Sequence, residues 1–445
     1  MDMDIEQRRT TSQLNVTTLP FDILAQIFLA CLPDDPGDDF PTFSAKAAPL
    51  LLGRVCSCWR EVALTTPRVW AKLSIRKADE HGNVLTRKPV SAVQAWIRRT
   101  GRCALSFRFV TDDFSRTEEK QILISILPHR ERWEYLEVHG SLSVYHICAA
   151  ISNGAPLLRY LNISSFHCFA TENLDLSTTP ILQTLIVDTA HKIRGPGTCA
   201  RTLRHISVHV ESLDECWSYL AHCPNIEIFE AVTSRKVRVA RFTSFEPDVD
   251  ILQLTRLHTM RLNVPYAGPL LNRLLLPVLR SFHFGTSDPG TNVLSFLHRL
   301  EHPLERLVIG PGATEFGPND LLDYLRRNPA LVSLSVLGRR SLSDAQIRQL
   351  QLGLEPDLNL CPHLERIEFG DCVGCSMLRM EEMVLSRWRG ANKVVASASP
   401  NWTSVQNDQW ERNLRYHHLQ QLQICRILSG RVYPFQRAAR DREVH

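Results

Sequence analysis

The stretch PHLERIEF, residues 362–369, carries the pattern that decides the fold: an apolar anchor, Leu364, followed by alternating apolar and polar residues. This alternation predicts a short β-strand with one buried face, because successive side chains of a strand point to opposite faces of the sheet. The phrase recurs through much of the chain. Aligned on the first apolar residue, its anchors are Trp133, Leu158, Leu182, Leu203, Ile226, Leu257, Leu279, Leu304, Leu331 and Leu364.

The segments between these phrases have the signals of helices. Ser212 with Glu215 and Ser343 with Gln346 have the spacing of capping boxes, in which each side chain bonds to the other residue's backbone N–H. One strand and one helix cannot bury their own apolar faces, so such units must stack on their neighbours. The sequence therefore predicts an α/β protein built from repeated strand–helix units.

The repeats resemble irregular leucine-rich repeats. The anchor intervals run from 21 residues, between Leu182 and Leu203, to 33 residues, between Leu331 and Leu364, and leucine-rich repeats have 20 to 29. The resemblance implies an α/β solenoid with a protein-binding concave face; a non-repetitive α/β domain is the alternative. Residues expected on that face are Asn162, His205, Glu227, Arg261, His283, Arg306 and Glu368.

The N-terminal segment predicts a first short amphipathic helix. Pro20 suits a first helical turn, and Asp22 follows within that turn. Leu24, Ile27, Phe28 and Cys31 recur at i, i+3, i+4 and i+7, which predicts a single apolar stripe widened by Ile23.

Residues 50–64, LLLGRVCSCWREVAL, predict a second amphipathic helix, after a loop rich in proline and aspartate at 34–49. The residues expected to share its apolar face are Leu52, Val55, Cys56, Trp59 and Ala63. Pro67 is expected to end this helix, and Trp70, Leu73 and Ile75 have the spacing of a first strand. Two helices this short have too little core to stand alone, so they must pack on the chain or on a partner.

The two segments together resemble the F-box of fungal, basidiomycete-type F-box proteins. The shared features are LP-x-D-IL-x-x-IF at 19–28, then PLLL-x-x-VC-x-x-WR-x-VAL at 49–64 and TP-x-VW at 66–70. The match covers about a sixth of the chain, and its gap between the helices is longer than in the shortest F-boxes.

The resemblance implies a role and a set of contact residues. F-boxes dock onto the Skp-family adaptor of the SCF ubiquitin ligase with its cullin, and the rest of the chain selects a protein substrate. The residues expected to bind the adaptor are Leu19, Pro20, Ile23, Leu24, Ile27, Leu51, Leu52 and Val55. Trp59 is expected mainly to pin the two helices to the following strand.

The bulk composition is typical of a folded soluble protein. Hydrophobic residues make up 44% and charged residues 22%, and the net charge of +4 is too small to indicate nucleic-acid binding. The acidic start, Met1 to Glu6, is unlike a signal peptide, and no apolar run reaches the length of a membrane span. We therefore expect a cytoplasmic or nuclear protein whose 13 cysteines are reduced.

The chain lacks the G-x-S-x-G and H-E-x-x-H motifs and the kinase signature. A four-ligand zinc site could be formed by Cys361, His363, Cys372 and Cys375. The favoured interpretation is that these are small residues at the end of a strand and not metal ligands. Gly310, Pro311 and Gly312 lack the lysine of a phosphate-binding loop. We expect no enzymatic activity, no cofactor and no metal.

These observations predict four regions: a disordered N-terminus at 1–15, an F-box at 16–75, a leucine-rich-repeat-like solenoid at 76–375, and a helical cap and tail at 376–445. The expected function is substrate recognition for an SCF-type ubiquitin ligase. The alternatives are a binding scaffold outside the ligase, with both helices packed on the chain itself, and an enzyme of unrecognised type.

Overall fold

The computed structural model divides the chain into two compact units, Met1–Thr202 and Leu203–His445, which we describe separately. The division falls inside the predicted repeat region.

The structure describes residues 19–33, 40–78, 84, 86–110, 114–140, 142–164, 173–187, 192–194, 196–233, 251–285, 293–310, 317–337, 342–353, 359–369 and 375–387.

Unit 1 opens with short helices. They are α1 (Phe21–Ala30), a 3-10 turn (Leu52–Arg54), α2 (Ser57–Thr65) and a second 3-10 turn (Pro67–Trp70). The strand β1 (Lys72–Ile75) follows directly. The predicted second helix is therefore wrong at its start, since the chain turns at Val55–Cys56 and the α-helix begins only at Ser57. Trp70 also precedes the strand, in the 3-10 turn.

The rest of unit 1 alternates helices and strands. Its elements are α3 (Pro89–Arg99), β2 (Leu105–Val110), α4 (Arg116–Ile126), a 3-10 helix (Leu127–Arg132), β3 (Trp133–His139), α5 (Leu142–Ser152), β4 (Tyr160–Ser164), β5 (Asn173–Asp175), β6 (Thr184–Val187), β7 (Lys192–Arg194) and α6 (Pro196–Cys199). Among the described strands, β1, β2, β3, β4 and β6 form a parallel sheet in that order. The strands β5 and β7 form a separate parallel pair.

Unit 2 repeats the arrangement. Its elements are β8 (His205–Val210), α7 (Leu213–His222), β9 (Ile228–Thr233), β10 (Leu252–Gln253), β11 (Thr259–Asn263), α8 (Gly268–Asn272), β12 (Leu274–Leu275), β13 (Ser281–Phe284), α9 (Val293–His298), β14 (Arg306–Ile309), α10 (Pro318–Arg327), β15 (Ser333–Val336), α11 (Asp344–Gln349), β16 (Arg366–Phe369) and α12 (Met377–Arg387). Its described sheet is parallel, in the order β8, β9, β11, β13, β14, β15, β16. The strands β10 and β12 pair apart from it.

The anchor leucines explain the registers within each unit. All ten anchors are buried, and nine of them lie two residues before a strand; the exception, Trp133, begins β3. The third and fifth residues after Leu279, Phe282 and Phe284, are also buried, as are their counterparts after Leu331, Leu334 and Val336. Each strand thus buries its apolar side chains on one face and directs the intervening side chains outward.

The predicted capping residues begin helices as expected. Ser212 Oγ accepts the backbone N–H of Glu215 at the start of α7, and Gln346 Oε1 accepts the backbone N–H of Ser343 at the start of α11. The box at α7 is incomplete, because the Glu215 carboxylate accepts from the backbone of Glu211 instead. These bonds satisfy N–H groups that a helix start otherwise leaves open.

The coarse prediction of a mixed α/β protein is confirmed. The described residues include only part of the predicted C-terminal region. The predicted helical cap and tail at 376–445 includes α12, with Met380 and Met383 buried. Residues 388–445 of that region and the predicted disordered N-terminus at 1–15 lie outside the described residues. Within the described part, no helix combines the length and apolar content that a bilayer crossing requires.

Candidate interaction surfaces

The helix α1 splits its apolar residues between a buried and an exposed side. Leu24 is only 1% exposed and Phe28 is fully buried, whereas Ile23 and Ile27 are 45% and 40% exposed. The predicted single stripe is therefore wrong, since Ile27 and Cys31 point away from the side that Leu24 and Phe28 bury. Large apolar side chains left in water on so short a segment are typical of a docking surface.

The segment before α2 divides in the same way. Leu52 is 6% exposed and belongs to the core, whereas Leu51 and Val55 are 44% and 58% exposed. The backbone explains this break, because Cys56 adopts an extended conformation and its thiol accepts the Trp59 N–H as the cap of α2. Val55 therefore does not share a helical face with Trp59, and the prediction that it would is wrong.

Tryptophan side chains connect these helices to each other and to α3. The ring of Trp59 packs on Phe28, which fixes α2 against α1. Trp70 Nε1 donates to the Ala63 carbonyl at 2.7 Å, and Trp96 Nε1 donates to the Trp70 carbonyl at the same distance. These bonds satisfy both buried indole N–H groups and hold the end of α2 beside α3. Trp59 thus pins α2 to α1 rather than to the following strand.

The eight predicted adaptor-binding residues consequently fall into three groups. Leu24 and Leu52 lie in the chain's own core, where in this conformation they support the surface without forming part of it. Leu19 is half-buried and Pro20 is exposed. The remaining four, which we call the exposed quartet, are Ile23, Ile27, Leu51 and Val55.

Two exposed apolar residues of this region are not among the predicted adaptor-binding residues. Phe21 and Leu64 are both nearly half exposed. Leu64 lies off the 52–55–56–59–63 set, and a large apolar residue outside the predicted buried face was the signal available for it. Phe21 lies three residues before Leu24 and seven before Phe28, so helical spacing places it beside the predicted stripe and does not mark it as exposed.

The outward face of the first sheet has a bonded polar cluster centred on Glu137. Its carboxylate accepts from Arg108 Nε at 2.8 Å and from the Tyr135 hydroxyl at 2.9 Å, and the His139 ring lies 2.7 Å from its second oxygen. Burial opposes the charge, yet these hydrogen bonds outweigh it and lower the pKa of Glu137 to about 2. The ring of Phe40 packs on Tyr135 and covers this cluster, which therefore stabilises the fold.

Ion pairs cross the strand starts of the second sheet. Arg204 Nη1 lies 2.8 Å from Glu227, and Arg280 Nη1 lies 3.4 Å from Glu305.

The residues predicted for a target-binding face differ in exposure. In unit 2, Arg306 and Glu368 are exposed, whereas His205 and Glu227 are half-buried. Asn162, in unit 1, is half-buried too.

Arg261 and His283 are bonded to each other. Arg261 Nε donates to His283 Nδ1 at 2.7 Å, so this ring nitrogen is an acceptor and the imidazole is neutral. Burial and then the neighbouring Arg261 charge lower the pKa of His283 to about 4, against the opposing effect of Glu230. This pair therefore remains intact at neutral pH.

The structure offers no support for the zinc site. The Cys361 thiol is buried and donates toward the carbonyls of Asn328 and Leu325 at 3.1 and 3.4 Å, whereas His363 is exposed. Cys372 lies outside the described residues. Within the part of the chain that the structure describes, no group of three or more His, Cys, Asp or Glu side chains could hold a metal ion.

No protein-family model matches the sequence, and a search of curated proteins finds no match to it.

Proposed function

We propose that this protein is a substrate-recognition subunit of an SCF-type ubiquitin ligase, which docks the Skp-family adaptor through its N-terminal helices. The observation that carries the proposal is the exposed quartet, four large aliphatic side chains left in water within 33 residues of sequence. Burying such a side chain contributes about 1.5–3 kcal/mol. Four of them would provide a substantial part of a stable interface.

The core beneath the quartet supports a rigid docking element. Leu24 and Phe28 anchor α1, and the Phe28–Trp59 contact fixes α2 against it. Because a preformed surface loses little conformational entropy on binding, these exposed side chains are ready for a partner. The F-box-like sequence of the same residues is what identifies the Skp-family adaptor as that partner.

We assign target binding to the strand–helix repeats, which we interpret as an irregular leucine-rich-repeat solenoid. Buried anchors two residues before nine of the described strands, parallel pairing within each unit, and intervening helices all support this interpretation. The outward side chains of such repeats form a surface that can hold another protein. Tethering a target beside the ligase then raises its effective concentration near the transferring enzyme, with no catalysis by this chain.

The test is adaptor binding by the full-length chain and by charge variants of the quartet. We expect Ile27→Asp and Val55→Asp each to weaken binding to a purified Skp-family adaptor by tenfold or more, because each buries a charge in an apolar interface. The matched control is Ile124→Asp, since Ile124 is an apolar residue of α4 that is at least as exposed as Ile27 and Val55. Isothermal titration calorimetry measures all three.

Two results would count against adaptor docking. One is a wild-type chain that does not bind the adaptor, which would favour the scaffold outside a ligase. The burial of Leu24 and Leu52 by the chain itself is the observation that favours this alternative. The other is an equal loss of binding in Ile124→Asp, which would point to a non-specific effect of the added charge.

A further inference from the structure

Two arginines of unit 2 lie in register on either side of a serine. Arg306 of β14 pairs with Ser333 of β15, which pairs in turn with Arg366 of β16. Residues in register on parallel strands point to the same face, and neighbouring strands are about 4.8 Å apart, so the two arginine Cα atoms are roughly 10 Å apart. Both side chains are long enough to reach an anion placed above Ser333.

The strand between them is the floor of a shallow furrow. Ser333 and Ser335 occupy the outward positions of β15 but are both buried, because larger side chains flank them on the neighbouring strands. Arg306 and Val308 form one wall, and Arg366 forms the other. A small hydroxyl between two long cationic side chains leaves space for a ligand group.

The arginines of this furrow differ from others in the same unit. Arg204 and Arg280 face the carboxylates of Glu227 and Glu305. Within the described residues, Arg306 and Arg366 have no such carboxylate, and the Nε of Arg366 is buried without any hydrogen-bond partner. A buried charged donor without an acceptor costs free energy, so its presence points to an acceptor that the chain itself does not supply.

The furrow is acidic at its other end. Glu368 follows Arg366 by two residues on the same face of β16, and its carboxylate accepts from the Ser335 hydroxyl at 3.1 Å. That bond directs the Glu368 charge toward Ser335. The basic and acidic ends together suit an extended peptide whose anionic group lies at the arginine end.

We propose that Arg306, Ser333 and Arg366 bind an anionic side chain, a carboxylate or a phosphate monoester, on a protein segment lying along β15. Guanidinium groups bind such groups through paired N–H donors, and the serine hydroxyl provides another donor between them. The proposal deepens the proposed function, because it rests on target binding by the repeats and names the chemical class of the target.

The test uses the immobilised full-length chain and three peptide libraries. The libraries share the same randomised flanks and differ only in a central phosphoserine, glutamate or serine. We expect the wild-type chain to retain one of the anionic libraries at least fivefold more than the serine library. Which of the two is retained distinguishes a phosphate from a carboxylate ligand. Arg306→Gln and Arg366→Gln should each remove most of this preference.

Arg280→Gln is the control, because it removes an exposed arginine that already faces Glu305. Equal retention of all three libraries by the wild-type chain would overturn the proposal, as would an equal loss in Arg280→Gln. Thermal unfolding verifies that each variant folds. If Arg366→Gln does not fold, Arg306→Gln still tests the proposal, because Arg306 is exposed. The assay contains no adaptor, so its failure is distinguishable from a failure of adaptor docking.

Discussion

The indole of Trp59 packs against the phenyl ring of Phe28, with 5.1 Å between the ring centroids and 59° between the ring planes. Phe28 lies on the buried side of α1, and Trp59 lies in the first turn of α2. This one contact determines how the two helices meet. It also explains why Ile23 and Ile27, on the other side of α1, stay exposed.

Replacing Trp59 with alanine should loosen the N-terminal helices. Trp59 is half-buried, so we expect a loss of about 2 kcal/mol in the free energy of unfolding, less than for a fully buried tryptophan. Urea unfolding followed by circular dichroism measures the loss. Arg60→Ala is the control, because Arg60 is exposed on the next position of α2. Equal stability of the two variants would contradict this role for Trp59.

Leu24→Asp and Ile27→Asp should differ in how much they destabilise the fold, although both add a carboxylate to α1. Leu24→Asp places an unpaired charge in the core and should cost about 4 kcal/mol or more. Ile27→Asp should change the free energy of unfolding by less than about 1 kcal/mol while still weakening adaptor binding. Thermal unfolding together with calorimetric titration separates the two effects. Comparable destabilisation by both variants would show that Ile27 is not a surface residue.

Glu137→Gln should destabilise unit 1 by about 2–4 kcal/mol at neutral pH, because the Arg108 guanidinium and the Tyr135 hydroxyl would lose the Glu137 carboxylate in a largely buried cluster. Denaturant unfolding at pH 7 measures this difference. The control is Gln121→Glu, which makes the reverse exchange of an amide for a carboxylate on the exposed surface of α4. It should change the free energy of unfolding little.

The stability difference caused by Glu137 should also depend on pH. The pKa of Glu137 is lowered from 4.5 to about 2 in the folded protein, so its charge stabilises the fold at pH values above 4.5. That stabilisation is lost as the pH falls from about 4.5 toward 2. The gap in melting temperature between wild type and Glu137→Gln should therefore narrow over this range. A gap that stays constant from pH 6 to pH 3 would show that the Glu137 charge contributes nothing.

Arg387→Met should detach the end of α12. The buried Arg387 guanidinium donates to the carbonyls of Leu350, Leu360 and Cys361 at 2.7 to 2.9 Å. Removing these donors takes a hydrogen bond from each of the three carbonyls, although the Cys361 carbonyl also accepts the Leu364 N–H. We therefore expect a loss of about 3 kcal/mol or more and faster hydrogen exchange in α12. Arg379→Met should cost less than about 1 kcal/mol, because Arg379 makes only a partly exposed pair with Glu382. Similar exchange rates in both variants would rule out this anchoring role.

Gly310→Ala should be strongly destabilising, whereas Gly197→Ala should not. A Cβ on Gly310 would lie 2.6 Å from the Cα of Gly285, and this backbone contact cannot be relieved by a side-chain rotation. We expect a cost of about 2 kcal/mol or more. A Cβ on Gly197 meets no atom within 4 Å. Thermal unfolding of the two variants tests this, and equal melting temperatures would show that the strands can separate at Gly310.

The sequence predicted the strands well because the information it needed was local. An anchor such as Leu331 and the alternation after it specify a strand and its buried face within eight residues, whichever neighbours the strand acquires. The same reasoning failed at Val55 and Cys56, where helical periodicity continues through a point at which the backbone turns. The extended conformation of Cys56 leaves no trace in an apolar pattern.

The sequence by itself determined the α/β class, the positions of the buried anchors and the apolar character of the N-terminal helices. Only the tertiary structure decided that Leu24 faces the core while Ile27 faces water, because that choice depends on where Trp59 packs. It alone placed Arg306 beside Arg366, since residues 60 positions apart become neighbours only through the pairing of their strands with β15. Local periodicity specifies which side chains of an element are apolar; long-range packing determines what each of them meets.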